Sequence, residues 1–172
     1  MDEPEKIIIS WEQYLKLIEK LLEEIKIKKY APQQIICIAR GGLIPGEIMA
    51  RSLRLPLAVF FASSYADGST RPAKIVFSKY ISCLDELKKE NILLVDDMAD
   101  SGVTLQEAKV WLNEKFGIKS AHIRTAVLWQ KQSSCHQPDF CAEFIGVGKN
   151  NKCPWLVQPT ENFAQQFKNK NV

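Results

Sequence analysis

One segment constrains this chain more than any other: Ile92-Leu-Leu-Val-Asp96-Asp97-Met-Ala99-Asp100-Ser101-Gly102-Val103-Thr104. Its opening run of four apolar residues suits a strand buried on both faces. The run ends on two adjacent carboxylates. A small-residue turn, Ala99 to Gly102, follows, and then a helical stretch from Val103 to Phe116 with Gly117 as its stop.

Successive strand side chains point to opposite faces, so Asp96 and Asp97 need not share a task. Backbone N–H groups in such a turn, at a helix N-terminus, make a cradle for an anion. Ser101 and Thr104 add hydroxyl donors. Yet Asp96, Asp97 and Asp100 surround that cradle, and a simple phosphate binder gains nothing from them. Ionised carboxylates accept hydrogen bonds from vicinal hydroxyls, hold Mg²⁺ and stabilise a developing positive charge. A sugar phosphate reacting through an oxocarbenium-like state would use all three properties. Helix capping accounts for Asp100 but not for the whole run.

The same order of strand, turn and helix recurs along the chain. Gln34 to Ala39 is a short apolar run that ends at Arg40-Gly41-Gly42. Leu43 to Leu53 reads as a helix, with Pro45 near its start. Leu57 to Ala62 reads as a second strand, Ser63 to Pro72 as a loop, and Lys74 to Tyr80 as an edge strand or hairpin arm. Ser120 to Trp129 reads as a fourth buried strand. Ahead of them all, Trp11, Tyr14, Leu15, Ile18, Leu21, Leu22 and Ile25 mark one face of a helix. Ser10 and Gln13 give it a capping box. That helix is expected to cover the body of the fold and to carry no chemistry. The pattern is that of an α/β protein, a mainly parallel sheet flanked by helices. Ligands of such sheets bind outside the carboxyl ends of the strands.

Composition excludes several classes. The chain has 172 residues, enough for one domain with a real core, and 46% of them are hydrophobic. A net charge of +3 is too balanced for a nucleic-acid coat, so no nucleic acid is expected as partner. No run reaches the roughly 18 apolar residues of a membrane span. The acidic N-terminus does not read as a secretory signal, so a cytoplasmic location is expected. Five cysteines cannot all pair within one chain and read as reduced thiols. Cys135, His136, Cys141 and Cys153 fit no closed zinc template, and packing cysteines are the simpler reading. The tail after Phe163 is polar and is expected to fray.

The Asp96 to Thr104 stretch resembles the ribose-phosphate motif of type I phosphoribosyltransferases: a hydrophobic strand, two acids, two variable residues, Asp, Thr or Ser, Gly, any residue, Thr. Independently, Ala39-Arg40-Gly41-Gly42-Leu-Ile-Pro-Gly46 resembles the pyrophosphate loop of the bacterial xanthine–guanine-type enzymes. Glycines there let backbone amides approach an anion, and Arg40 adds fixed positive charge. The resemblance runs from Ser10 to Pro159. It implies the type I fold over one domain, residues 1–172, with a small C-terminal base-binding hood over residues 131–160.

The resemblance also implies roles. Asp96 and Asp97 would hold the ribose hydroxyls of PRPP, with Asp97 the Mg²⁺ contact. The segment Ala99, Asp100, Ser101, Gly102, Val103 and Thr104 would hold the 5-phosphate, and Asp100 would manage the proton on the imidazole side of the base. Arg40 and Gly41 would hold pyrophosphate. Ser63-Ser64-Tyr65 matches the start of the family's mobile loop, which excludes water from an activated ribose. Lys131 would donate to a 6-oxo group, because lysine has donors and no acceptor. Trp155 would stack on the purine and Leu156 would present backbone groups to its edge. The implied reaction is PRPP plus xanthine, guanine or hypoxanthine giving the nucleoside 5'-monophosphate and pyrophosphate, by a homo-oligomer, dimer or tetramer. Phe60, Phe61 and Phe77 are candidates for an oligomer contact or for the core. Rival readings are a non-catalytic nucleotide-sensing regulator of the same fold, a phosphoacceptor signalling domain, and an enzyme acting on a pyrimidine.

Overall fold

A computed structural model describes residues 5–65, 74–148 and 153–170. The chain opens with β1 (Lys6–Ile8) and α1 (Trp11–Ile27). The Ser10 hydroxyl accepts from the Gln13 amide at 3.2 Å, and the Gln13 side chain accepts from the Ser10 amide at 2.8 Å. The capping box is therefore closed in both directions. Helix α1 buries Tyr14, Ile18, Leu21 and Ile25 and leaves Trp11 and Leu15 half exposed.

Then strands and helices alternate: β2 (Gln34–Ala39), α2 (Leu43–Leu53), β3 (Leu57–Tyr65), β4 (Lys74–Phe77), β5 (Ser82–Cys83), β6 (Ile92–Ala99), α3 (Val103–Phe116), a 3-10 turn (Ser120–His122) and β7 (Ile123–Lys131). The chain ends with β8 (Phe140–Ile145), β9 (Trp155–Val157) and α4 (Pro159–Lys170). The main sheet runs β4-β3-β2-β6-β7-β8, with β5 beside β3. The pairs β2–β3, β2–β6, β6–β7 and β7–β8 are parallel, and β4 and β5 pair antiparallel with β3. A separate small sheet joins β1 to β9 in parallel.

Alternation splits the interior into two cores. Ile35, Cys37, Leu93 and Val95 face α1 and α2, with Met49 and Trp129. Ile36, Ile38, Leu94, Phe60 and Val127 face α3, with Leu105, Ala108 and Leu112. Both sheet faces are covered, and this is why β2 and β6 read as continuous apolar runs. Each fully buried Ile or Leu contributes about 1.5–3 kcal/mol of transfer free energy.

Several expectations change. Ser63 to Tyr65 are not loop. They extend β3, because β4 supplies a partner: Ser63 lies opposite Val76, Ser64 opposite Ile75 and Tyr65 opposite Lys74. The remainder of that expected loop, residues 66–72, lies outside the described residues. Asp96 and Asp97 lie within β6 rather than past its end, because β7 continues the ladder alongside, with Asp96 opposite Val127 and Met98 opposite Trp129. The fourth strand starts at Ile123 after the 3-10 turn. The tail is helical to Lys170, with an acid at its start and Lys168 and Lys170 at its end, which complements the helix dipole. Phe60 is fully buried beside Phe77 and Trp111, while Phe61 is exposed. No described helix is long and apolar enough to cross a membrane.

Candidate functional site

The sheet order reverses between β2 and β6. From β2 the chain crosses outward to β3. From β6 it crosses the other way to β7. A crevice opens where the loops leaving such a pair diverge, at the strands' carboxyl ends. The two loops concerned are Arg40–Gly42 after β2 and Asp100–Gly102 after β6. The sheet thus brings together the two motifs that the sequence sets 60 residues apart.

Glycine makes the first loop possible. A Cβ on Gly42 would lie 2.3 Å from the Val95 carbonyl oxygen and 2.8 Å from that of Ile38. A Cβ on Gly41 would lie 2.3 Å from Asp97 Oδ1. The backbone at Gly41 therefore packs directly on the Asp97 carboxylate. The Ala39–Arg40 peptide is cis.

The acid pair divides as strand alternation requires. Asp96 continues the α3 face and lines a recess of about 190 Å³ with Arg40, Gly41, Ser63 and Thr104. Asp97 continues the α1/α2 face and lines a larger cleft of about 690 Å³ with Tyr14, Arg40, Gln158 and Thr160. Arg40 and Gly41 border both. Asp96 is 9% exposed. Burial raises its carboxyl well above the usual carboxylate range, and the neighbouring Asp97 charge adds to that, while the amides of Asp97 and Gly42 pull it down. The Asp97 amide donates to Asp96 Oδ1 at 2.9 Å. Asp97 Oδ2 accepts from the Gln158 side-chain amide.

The turn after β6 is built for close approach. Gly102 caps α3 at φ +77°, a conformation glycine adopts without steric cost. The first N–H groups of α3 have no partner within the helix. From the other side the turn is braced by the segment after β7. Cys135 donates its amide to the Ser101 carbonyl at 3.0 Å and its thiol to the same oxygen at 3.0 Å. Ser134 and His136 press on Gly102, where a Cβ would meet the Ser134 hydroxyl at 2.6 Å. At the rim, Lys131 Nζ pairs with Asp100 Oδ2 at 2.9 Å. Lys131 is 16% exposed and Asp100 is 67% exposed.

The expected residues thus fall into two groups. Arg40, Gly41, Asp96, Asp97 and Thr104 share the two cavities, and Lys131 joins Asp100 at the end of the acidic turn. Trp155 and Leu156 belong to the small sheet. Trp155 is 54% exposed, so it is not a core aromatic, and Leu156 packs into the α1-side core. Their link to the cleft is Gln158, just past β9. Ser64 and Tyr65 stand at the end of β3.

Sequence reasoning missed Tyr14, Gln158 and Cys135. Tyr14 is the point at which α1 reaches the site: it is 2% exposed yet borders the cleft. Burial raises its phenol, and the charges of Asp97 and Asp96 raise it further. Local sequence does not place these three at the site, since each meets it through a segment far away in the chain. Among the described residues no group of three or more metal-ligating side chains converges. A Mg²⁺ ion held by one carboxylate and substrate oxygens needs no such cage, and Asp97, which lines the larger cleft, fits that mode.

A model of the phosphoribosyl transferase domain matches residues 8–161. A xanthine-guanine phosphoribosyltransferase from Gluconobacter oxydans is 34% identical over 99 residues, 56% of this chain and 56% of that one. The chain therefore spans little more than half the length of that curated relative. A purine phosphoribosyltransferase from Pyrococcus horikoshii superposes with a TM-score of 0.70 at 30% identity, over 91% of this chain and 94% of the other. A Helicobacter pylori xanthine-guanine-hypoxanthine phosphoribosyltransferase shares the fold, with a TM-score of 0.74 at 24% identity over 95% and 99% of the two chains. With a mainly parallel sheet whose switch point holds both motifs, and a family match over most of its length, the chain belongs to the phosphoribosyl transferase family.

Proposed function

We propose that the protein transfers the phosphoribosyl group of PRPP to a 6-oxopurine, giving the nucleoside 5'-monophosphate and pyrophosphate. The observation that carries this reading is the Lys131–Asp100 ion pair at the end of the acidic turn. It offers a cationic donor beside an anionic acceptor. A 6-oxopurine presents the complement on one edge, an oxygen acceptor and an imidazole N–H. Adenine presents a 6-amino donor to Lys131, and the mismatch is costly.

The rest of the cleft suits PRPP. The amides of residues 100–104 and the Ser101 and Thr104 hydroxyls receive the 5-phosphate. Asp96 and Asp97 accept from the ribose hydroxyls, one from each side of β6. Arg40 and the Gly41 amide receive pyrophosphate. Asp97, with Asp96 behind it, would contact Mg²⁺, which when bound offsets the charge of the pyrophosphate. Positive charge spreads over the ribose as the bond to pyrophosphate loosens, and the two acids face that charge. They therefore act more on turnover than on binding. Asp100 accepts the imidazole proton as the base attacks, and Lys131 beside it holds that carboxyl group in place.

The test is steady-state pyrophosphate release from PRPP with xanthine, guanine, hypoxanthine and adenine as competing acceptors. Turnover with one or more 6-oxopurines and not with adenine is expected. Binding of PRPP without turnover on any base would favour a nucleotide-sensing regulator instead.

A further inference from the structure

We propose that Gln158 is a positioning residue: its side-chain amide fixes the Asp97 carboxylate and ties the base-binding strand to the ribose end of the cleft. This rests on the function proposed above. Gln158 Nε2 donates to Asp97 Oδ2, joining segments 61 residues apart. Gln158 is itself held. Its backbone amide donates to the Glu161 carboxylate at 3.2 Å, across the first turn of α4, and the following Pro159 is buried. The Asp97 carboxylate also lies against the Gly41 backbone. It therefore packs on the pyrophosphate loop and is hydrogen-bonded to the C-terminal segment.

The chemistry of an amide matters here. A carboxylate offers about four lone-pair sites. A neutral donor occupies one, restrains rotation and leaves the charge available. A cation in its place would neutralise the acid, and a second carboxylate would repel it. Gln158 also lies two residues past Leu156, directly after the strand expected to read the base. A single hydrogen bond thus links the end of β9 to Asp97. Tyr14 closes the same side of the cleft, with its phenol in the field of Asp97.

The experiment compares wild type with Gln158→Ala and Gln158→Glu. It measures kcat and KM for PRPP across Mg²⁺ concentration and from pH 6 to 8, with thermal midpoints alongside. For Gln158→Ala, kcat/KM for PRPP is expected to fall about tenfold or more, the value of one charge-assisted hydrogen bond, with the midpoint unchanged. Gln158→Glu is expected to fall further than Gln158→Ala, because the introduced carboxylate repels Asp97 and offers it no donor. A merely structural role would lower the midpoint and cost the two variants equally. Wild-type kcat/KM in both variants, or equal losses in both, would overturn the proposal. An inactive wild type would instead overturn the function on which it rests.

Discussion

Gly41→Ala isolates the contact on which the cleft geometry turns. The new methyl would stand 2.3 Å from Asp97 Oδ1, 2.4 Å from its Cγ and 2.7 Å from Oδ2. Ordinary contact begins near 3.4 Å, so the carboxylate must withdraw by about 1 Å. Misplacement of a reacting group by that amount costs on the order of 100-fold in rate, or about 2.7 kcal/mol of transition-state stabilisation. The methyl meets the end of a side chain, which can swing, so stability should fall little. Gly42→Ala makes the contrast. Its methyl would meet two backbone carbonyls that cannot move without breaking the strand ends, and folding should suffer, by about 1–3 kcal/mol. Gly146→Ala, with its nearest neighbour at 3.8 Å, is the control. The assay is kcat/KM for PRPP with a thermal midpoint for each variant. Near-normal kcat/KM in a folded Gly41→Ala protein would refute the argument that Asp97 must sit where it does.

Three further outcomes follow from the site and its frame. Asp96→Asn should abolish turnover yet raise the thermal midpoint at pH 8. A carboxyl whose folded pKa is raised contributes stability at low pH that is lost as pH rises through that pKa, so the gain should vanish near pH 4; about 2–4 °C per kcal/mol released is the scale. Asp139→Asn should cost about 1.5–3 kcal/mol in urea denaturation at pH 7. Burial works to raise this carboxyl, but the Thr125 amide and hydroxyl and the Arg124 guanidinium outweigh it and lower it. That contribution is present above the unfolded carboxyl pKa and lost as pH falls through the lowered one, so wild type and variant should converge in acid. Lys131→Ala should cut kcat/KM for hypoxanthine by about 10–100-fold while narrowing the preference over adenine, read from competing-base kinetics.

Much of this was legible in residue order alone. Helices over Leu43–Leu53 and Val103–Phe116 and the strand over Gln34–Ala39 follow from period, glycine stops and apolar runs, and each stands at those limits. The two motifs at the switch point were equally plain, because each combines a buried strand with a turn of special residues. Other features depend on distant partners. Asp96 and Asp97 read as strand-end residues until β7 runs beside them. Ser64 and Tyr65 become strand only because β4 folds back. The three-residue strands β1 and β9 are too short to show a period and exist by pairing with each other. Helix α4 carries a polar sequence that reads as a tail, while its Thr160, Glu161 and Ala164 border the cleft. The place of Tyr14 and Gln158 at the cleft was hidden for the same reason: Asp97, beside which both stand, is far away in sequence.

The most direct test is a crystal structure of the protein grown with guanosine or inosine monophosphate. The phosphate is expected on the amides of residues 100–104, both ribose hydroxyls within reach of Asp96 and Asp97, and the 6-oxo group on Lys131. A nucleotide bound away from the Asp100–Thr104 turn, or bound there with its ribose turned from both acids, would contradict this placement.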